Sequence, residues 1–122
     1  MTKIPNSKPY DLEERTFNFT KRVIDFCKTL PKTLENIELR KQVVRAAGSI
    51  GANYIEANES LGKKDFKMRI KICRKEAKES RYWLKIIVDT NNLASDSEGD
   101  YLIQEAFEFI KIFNTILFKS KN

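Results

Sequence analysis

The stretch KDFKMRIKICRKEAKESRYWLKIIV, residues 64–88, sorts onto the faces of one helix with almost no residue left over. At about 100° per residue, Phe66, Ile70, Cys73, Ala77, Ser80, Leu84 and Ile87 fall on one apolar seam. Steps of three and four also join Lys64, Lys67, Lys71, Arg74, Lys78, Arg81 and Lys85, so seven cations project from one side of the rod. A third face is mostly apolar, with Met68, Ile72, Trp83 and Ile86, yet carries the carboxylates Glu76 and Glu79. The seam belongs to a helical core, and the other two faces are where function is to be sought.

Outward from this helix, the chain continues in the same period. The turn over residues 60–63 precedes it, and a helix over residues 37–59 precedes the turn. A first helix starts at the cap Asp11, with Glu14 three positions on, and runs to about Leu30, where Pro31 stops it by lacking a donor and restricting its predecessor. Residues 32–36 read as a connector. Downstream, the polar residues 91–99 form a loop, Ser97 with Asp100 reads as a further cap, and a last helix runs to about Phe118. No segment alternates with period two, so strands have no foothold. The expectation is an all-α, up-and-down antiparallel four-helix bundle, one domain over residues 1–122 with an irregular arm over residues 1–10. The apolar faces are wider than a bundle interior requires: Ile103, Phe107, Ile110 and Phe118 flank the seam of Leu102, Ala106, Phe109, Phe113 and Ile116. That surplus predicts oligomerisation.

Charge is unevenly spread. The chain carries a formal net charge of +6 and a pI near 9.3. Residues 61–90 hold ten Lys or Arg against four Asp or Glu, a net of +6, whereas residues 91–122 hold three against five, a net of −2. Such a concentration favours polyanionic partners. The two cysteines, Cys27 and Cys73, sit on apolar seams, where a thiol acts as a small hydrophobe, so neither a disulfide framework nor a metal site is expected. No apolar run reaches the length of a membrane span, and the N-terminus lacks the apolar stretch of a signal peptide. The expected setting is the cytoplasm, with no membrane partner.

The second helix shows two apolar faces, Leu39, Val43, Ala46, Ile50, Tyr54 and Ala57 on one, Val44, Gly48, Gly51, Ala52 and Ile55 on the other. Glycine within a helix costs about 1 kcal/mol relative to alanine, so Gly48 and Gly51 call for close approach of a neighbouring helix. Between the faces runs a polar stripe of Gln42, Arg45, Ser49, Asn53, Glu56 and Ser60. It is either a solvated face or a partly buried network in which Arg45 and Glu56 pair with Glu76 or Glu79, since charges are rarely buried unpaired.

These residues carry a resemblance. QVVRAAGSIGANYIEA (residues 42–57), Asp65-Phe66 and KEAKESRYWL (residues 75–84) resemble the four-helix bundle protein family encoded in bacterial 23S ribosomal RNA intervening sequences. The match is close over residues 39–93 and is one of pattern in the first and last helices. The accessory variability determinant of diversity-generating retroelements, which assists a reverse transcriptase through a basic surface, is similar to this family. The resemblance implies a small helical protomer that assembles as a ring, typically a homopentamer, with no established catalytic activity. It maps the family's recurrent polar positions onto Arg45, Asn53, Glu56 and Glu79, in a structural role. Tyr54 departs from it, standing where the family usually has a smaller aliphatic residue.

The basic ridge is the best functional candidate, because phosphate contacts need Lys and Arg spread along a surface rather than a fixed constellation. Lys64, Lys67, Lys71, Arg74, Lys78 and Lys85 are the expected nucleic-acid-binding residues, with Arg81 nearest the seam. The plainer alternative is a solvated, solubilising face. RNA or DNA would be recognised by shape and charge, without base reading. A scaffold that recruits another protein, such as a reverse transcriptase, is the second class. Catalysis fares worst: the chain has no histidine, so a serine or cysteine nucleophile lacks its usual imidazole base and a bundle metal site lacks its usual ligand. No catalytic residue, metal or cofactor is expected.

Overall fold

Asp11 opens the chain's first helix by accepting a hydrogen bond from the Glu14 N–H at 3.2 Å. The computed structural model describes residues 11–120, and the arm expected over residues 1–10 lies outside them. Four helices follow: α1 (Leu12–Lys28), α2 (Leu34–Asn58), α3 (Lys63–Thr90) and α4 (Ser97–Lys119). There is no strand among the described residues.

Two helix starts differ from the sequence reading, and in both the cap explains the shift. α2 begins within the expected connector because the Thr33 hydroxyl accepts from the Asn36 N–H at 3.1 Å. α4 is capped by Asp96, whose carboxylate accepts from the Glu98 and Gly99 N–H groups at 2.8 and 3.0 Å, so Ser97 is its first helical residue rather than its cap. The end of α3 is set by Asn92 in the left-handed region, at φ 57°. The Leu93 N–H then bonds Val88 O at 2.9 Å and the Asn92 N–H bonds Asp89 O at 3.3 Å, which satisfies carbonyls that would otherwise be orphaned.

Side-chain pairs fix the packing order and direction. Glu13 meets Asn58 and Thr20 meets Ala47 across α1 and α2. Asn36 meets Asn91 and Asn53 meets Arg69 across α2 and α3. Arg74 meets Asn114 and Arg81 meets Phe107 across α3 and α4. Arg15 meets Glu105 and Arg22 meets Glu98 across α4 and α1. In every pairing one number rises as the other falls, so neighbours are antiparallel and the helices close up-and-down into a four-helix bundle.

The core lies where the seams converge. Phe19, Val23, Val43, Ile50, Ile70, Leu84, Ile87, Leu102, Phe109 and Phe113 are all buried. Phe19 packs edge-on to Phe109 at 5.3 Å, and Phe109 stacks on Phe113 at 6.2 Å. Cys27 and Cys73 are buried free thiols. The apolar surplus of α4 divides: Ile103 and Ile110 are half-buried against this core, whereas Phe107 and Phe118 are exposed, as are Phe17 of α1 and Ile55 of α2. No described helix is long and apolar enough to cross a membrane.

Candidate nucleic-acid interface

The ridge of α3 runs along the seam with α4. Lys64, Lys71, Lys78 and Lys85 are exposed, while Lys67, Arg74 and Arg81 are half-buried against the neighbouring helix. Arg74 is held in place by donating to the Asn114 side-chain oxygen at 2.8 Å. Lys67, Lys71 and Arg74 share a cleft of about 350 Å³ with Asn114, Leu117 and Phe118 of α4. Lys78, Arg81 and Lys85 line a second one of about 620 Å³, floored by Ile86, Val88 and Ile103. Arg81 differs from the rest: its Nε is buried without a hydrogen-bond partner, and its guanidinium lies 5.2 Å from the centroid of the Phe107 ring. Its charge is committed to an aromatic face rather than to solvent.

On the opposite side of α3 lie the polar residues shared with α2. Arg45 is more than half exposed and stands 3.9 Å from Glu76 and 3.7 Å from Glu79. These are ion-pair distances, longer than a hydrogen bond. Glu76 is buried, with Lys75 3.8 Å from its second oxygen. Asn53 accepts from Arg69 at 3.1 Å and donates to Ser49 O at 2.9 Å, so Ser49 contributes through its backbone. Glu56 stands outside the cluster: it is exposed and forms no ion pair among the described residues, while Arg69 of α3 donates to Asn53 instead. These contacts brace α2 against α3, and none of them presents a nucleophile beside a base. Among the described residues no group of three or more His, Cys, Asp or Glu is placed to hold a metal ion.

Reading α3 alone misses what α4 adds to the ridge. Phe107, Lys111, Asn114 and Phe118 follow one another at spacings of four, three and four, which places them on one stripe of α4. That spacing is the signal by which they could have been found. Elsewhere, an apolar groove of about 550 Å³ between α1 and α2 is lined by Phe17, Thr20, Gly48, Gly51, Ala52 and Ile55, with Asp11, Glu13 and Glu14 at its rim.

Comparison with known proteins agrees with this architecture. A protein of unknown function from the S23 ribosomal protein family of Bacteroides thetaiotaomicron, solved at 1.70 Å, superposes with a TM-score of 0.78 at 26% identity, over 87% of this chain and 97% of that one. No curated protein is significantly similar to the chain. The profile of the 23S rRNA-intervening sequence proteins matches residues 8–115, nearly the whole bundle. The chain therefore belongs to the 23S rRNA-intervening sequence protein family.

Proposed function

We propose that this protein is a non-catalytic, oligomeric nucleic-acid-binding protein whose ligand lies along the α3/α4 seam. The observation that carries the reading is the row of cations on α3, of which Lys67, Lys71 and Arg74 converge in one cleft. Lys64, Lys78 and Lys85 extend the row in both directions, so phosphates can be met along the length of the helix. The absence of histidine and the burial of both thiols support a binding role rather than a catalytic one.

Oligomerisation is supported by the apolar α1/α2 groove, which exposes Phe17 and Ile55 on the side of the bundle away from the basic seam. A ring of five copies joined there would repeat the basic seam around its axis and turn weak phosphate contacts into avidity. Light scattering measures the copy number. A gel shift with structured RNA and duplex DNA at two salt concentrations tests the ligand. Binding should weaken steeply with salt and largely vanish when Lys67, Lys71, Arg74 and Lys78 are all changed to Glu. Binding that survives that change would dispose of the basic seam as the site.

A further inference from the structure

The two clefts along α3 are not alike. Lys78 and Lys85 share theirs with the carboxylate of Asp89, and Arg81 beside them is committed to the Phe107 ring. The cleft of about 350 Å³ nearer the start of α3 holds Lys67, Lys71 and Arg74 and is lined by no acidic side chain. Cations on the neighbouring faces have carboxylates close by: Lys75 stands 3.8 Å from Glu76, and Lys111 stands 3.2 Å from Glu108. Lys67, Lys71 and Arg74 form no ion pair among the described residues. Their charges, at steps of four and three on one helix, repel one another and destabilise it unless an anion binds there.

From the other helix, α4 adds a donor to this cluster. Arg74 donates to the Asn114 side-chain oxygen at 2.8 Å. A guanidinium carries only donors, so the oxygen of the Asn114 amide must be the atom turned toward it. The amide NH2 is left with no partner among the described residues, on a side chain that lines the cleft. Arg74 keeps further N–H groups beyond that one bond. The same bond holds the guanidinium in place, so its planar fork is ordered before any anion arrives. An internal phosphodiester presents a single negative charge and two unesterified oxygens. A terminal phosphate carries close to two charges near neutral pH and three strongly accepting oxygens. Three cations and an amide NH2, brought together from two helices, match the terminal group better than the internal one.

We propose that the cleft formed by Lys67, Lys71, Arg74 and Asn114 seats the terminal phosphate of a nucleic-acid strand, with the rest of the strand following the basic row along α3. This rests on the basic seam being the nucleic-acid surface, and adds the chemical group that the seam singles out, a phosphomonoester dianion. Asn114 sets the preference, since it supplies the donor in excess of what a phosphodiester uses.

Fluorescence anisotropy with one loop-labelled RNA hairpin, carrying a 5′-phosphate, a 3′-phosphate or hydroxyls at both ends, tests this at constant salt. Near neutral pH the full chain should bind one phosphorylated hairpin at least about tenfold more tightly than the hydroxyl-ended one, and the two phosphorylated arms show which end is seated. Asn114→Leu, at an exposed position, should cut that advantage to about threefold or less while leaving thermal unfolding unchanged. The advantage should also shrink about threefold or more at about pH 5.5, where the terminal phosphate takes up a proton. The chain has no histidine and α4 brings no titratable side chain to the cleft, so the cleft keeps its own charge over that interval. Inorganic phosphate at fixed ionic strength should erase the advantage only in the millimolar range, and erasure at micromolar phosphate would make the free anion the ligand and overturn the assignment to a strand end. Equal affinity for phosphorylated and hydroxyl ends would overturn the inference and leave the basic seam standing as a backbone surface. An undiminished advantage in Asn114→Leu, or one that pH leaves unchanged, would overturn it too. Failure of all three hairpins to bind would remove the seam's assignment and the inference together.

Discussion

Thr16 occupies the space that a side chain on Gly51 would need: a Cβ there would lie 2.8 Å from the Thr16 hydroxyl oxygen and 3.2 Å from its Cβ. The Thr16 hydroxyl is itself fixed, donating to Leu12 O at 2.7 Å and Glu13 O at 3.1 Å. This is the close approach of α1 to α2 that the glycine permits. Gly48, one turn earlier, has nothing within 4 Å of the corresponding position. Gly51→Ala should therefore destabilise the fold by about 1–2 kcal/mol despite alanine's helix preference, whereas Gly48→Ala should stabilise it by about 0.5–1 kcal/mol. Urea denaturation at low protein concentration, where association contributes little, measures both. Equal effects of the two substitutions would show that the Thr16 contact is not what matters.

Two arginines tie α1 to α4 in the same bidentate manner but with different consequences. Arg15 donates to both oxygens of Glu105 at 2.7 and 2.8 Å, and that carboxylate is buried. Arg22 donates to both oxygens of Glu98 at 3.0 and 2.6 Å, in a pair open to solvent. Replacing Arg15 by Met strands a desolvated carboxylate and should cost about 2 kcal/mol, less than for a fully buried pair because Arg15 is partly exposed. The same change at Arg22 should cost less than about 1 kcal/mol. Thermal unfolding of the two variants side by side distinguishes them.

Burial pushes the Cys27 thiol up from its ordinary 9.0 to about 11 and the Cys73 thiol up to about 12. Both stay protonated in the folded state at pH values where the unfolded chain has already ionised them. The stability they contribute is complete below about pH 9 and is lost as the pH rises through about 11 and then about 12. In a pH series above 9, the protein should lose stability more steeply than a Cys27→Ala, Cys73→Ala variant. Near neutral pH a thiol reagent should label neither cysteine in the folded protein and both in denaturant.

Asn92 closes α3 with its backbone at φ 57°, a conformation that costs a β-carbon-bearing residue energy and glycine none. Asn92→Gly should preserve stability or raise it slightly, and Asn92→Val should lower it by about 1–2 kcal/mol, since a branched side chain fits the left-handed region worst. Chemical denaturation of the pair gives the answer. A tolerated valine would mean that the turn after α3 can rebuild itself another way.

The helices were legible because their causes are local. A residue's neighbours at three and four positions decide which face it shares, so the buried seam of α3 could be read residue by residue from Ile70 to Ile87. Caps were less legible, because several residues near a helix start carry a suitable oxygen. Thr33 and Asp96 won over the expected starts by geometry that spacing does not encode. The end of α3 depended on one asparagine adopting a left-handed backbone, for which the polar loop gave only a general indication.

The cationic row on α3 was readable from its own helix, since the period of three and four places those residues together before any packing occurs. What the row faces was decided only by the tertiary structure. Asn114 beside Arg74, Phe107 beneath Arg81 and Glu105 on Arg15 join residues 40, 26 and 90 positions apart. No periodicity links residues on different helices. Their meeting follows from the antiparallel register, which is set by how the buried rings of Phe19, Phe109 and Phe113 interlock in the core. Local spacing thus determined the helices and their faces. Close packing at long range determined which faces became a core, which a brace between helices, and which a groove where rings and cations lie side by side.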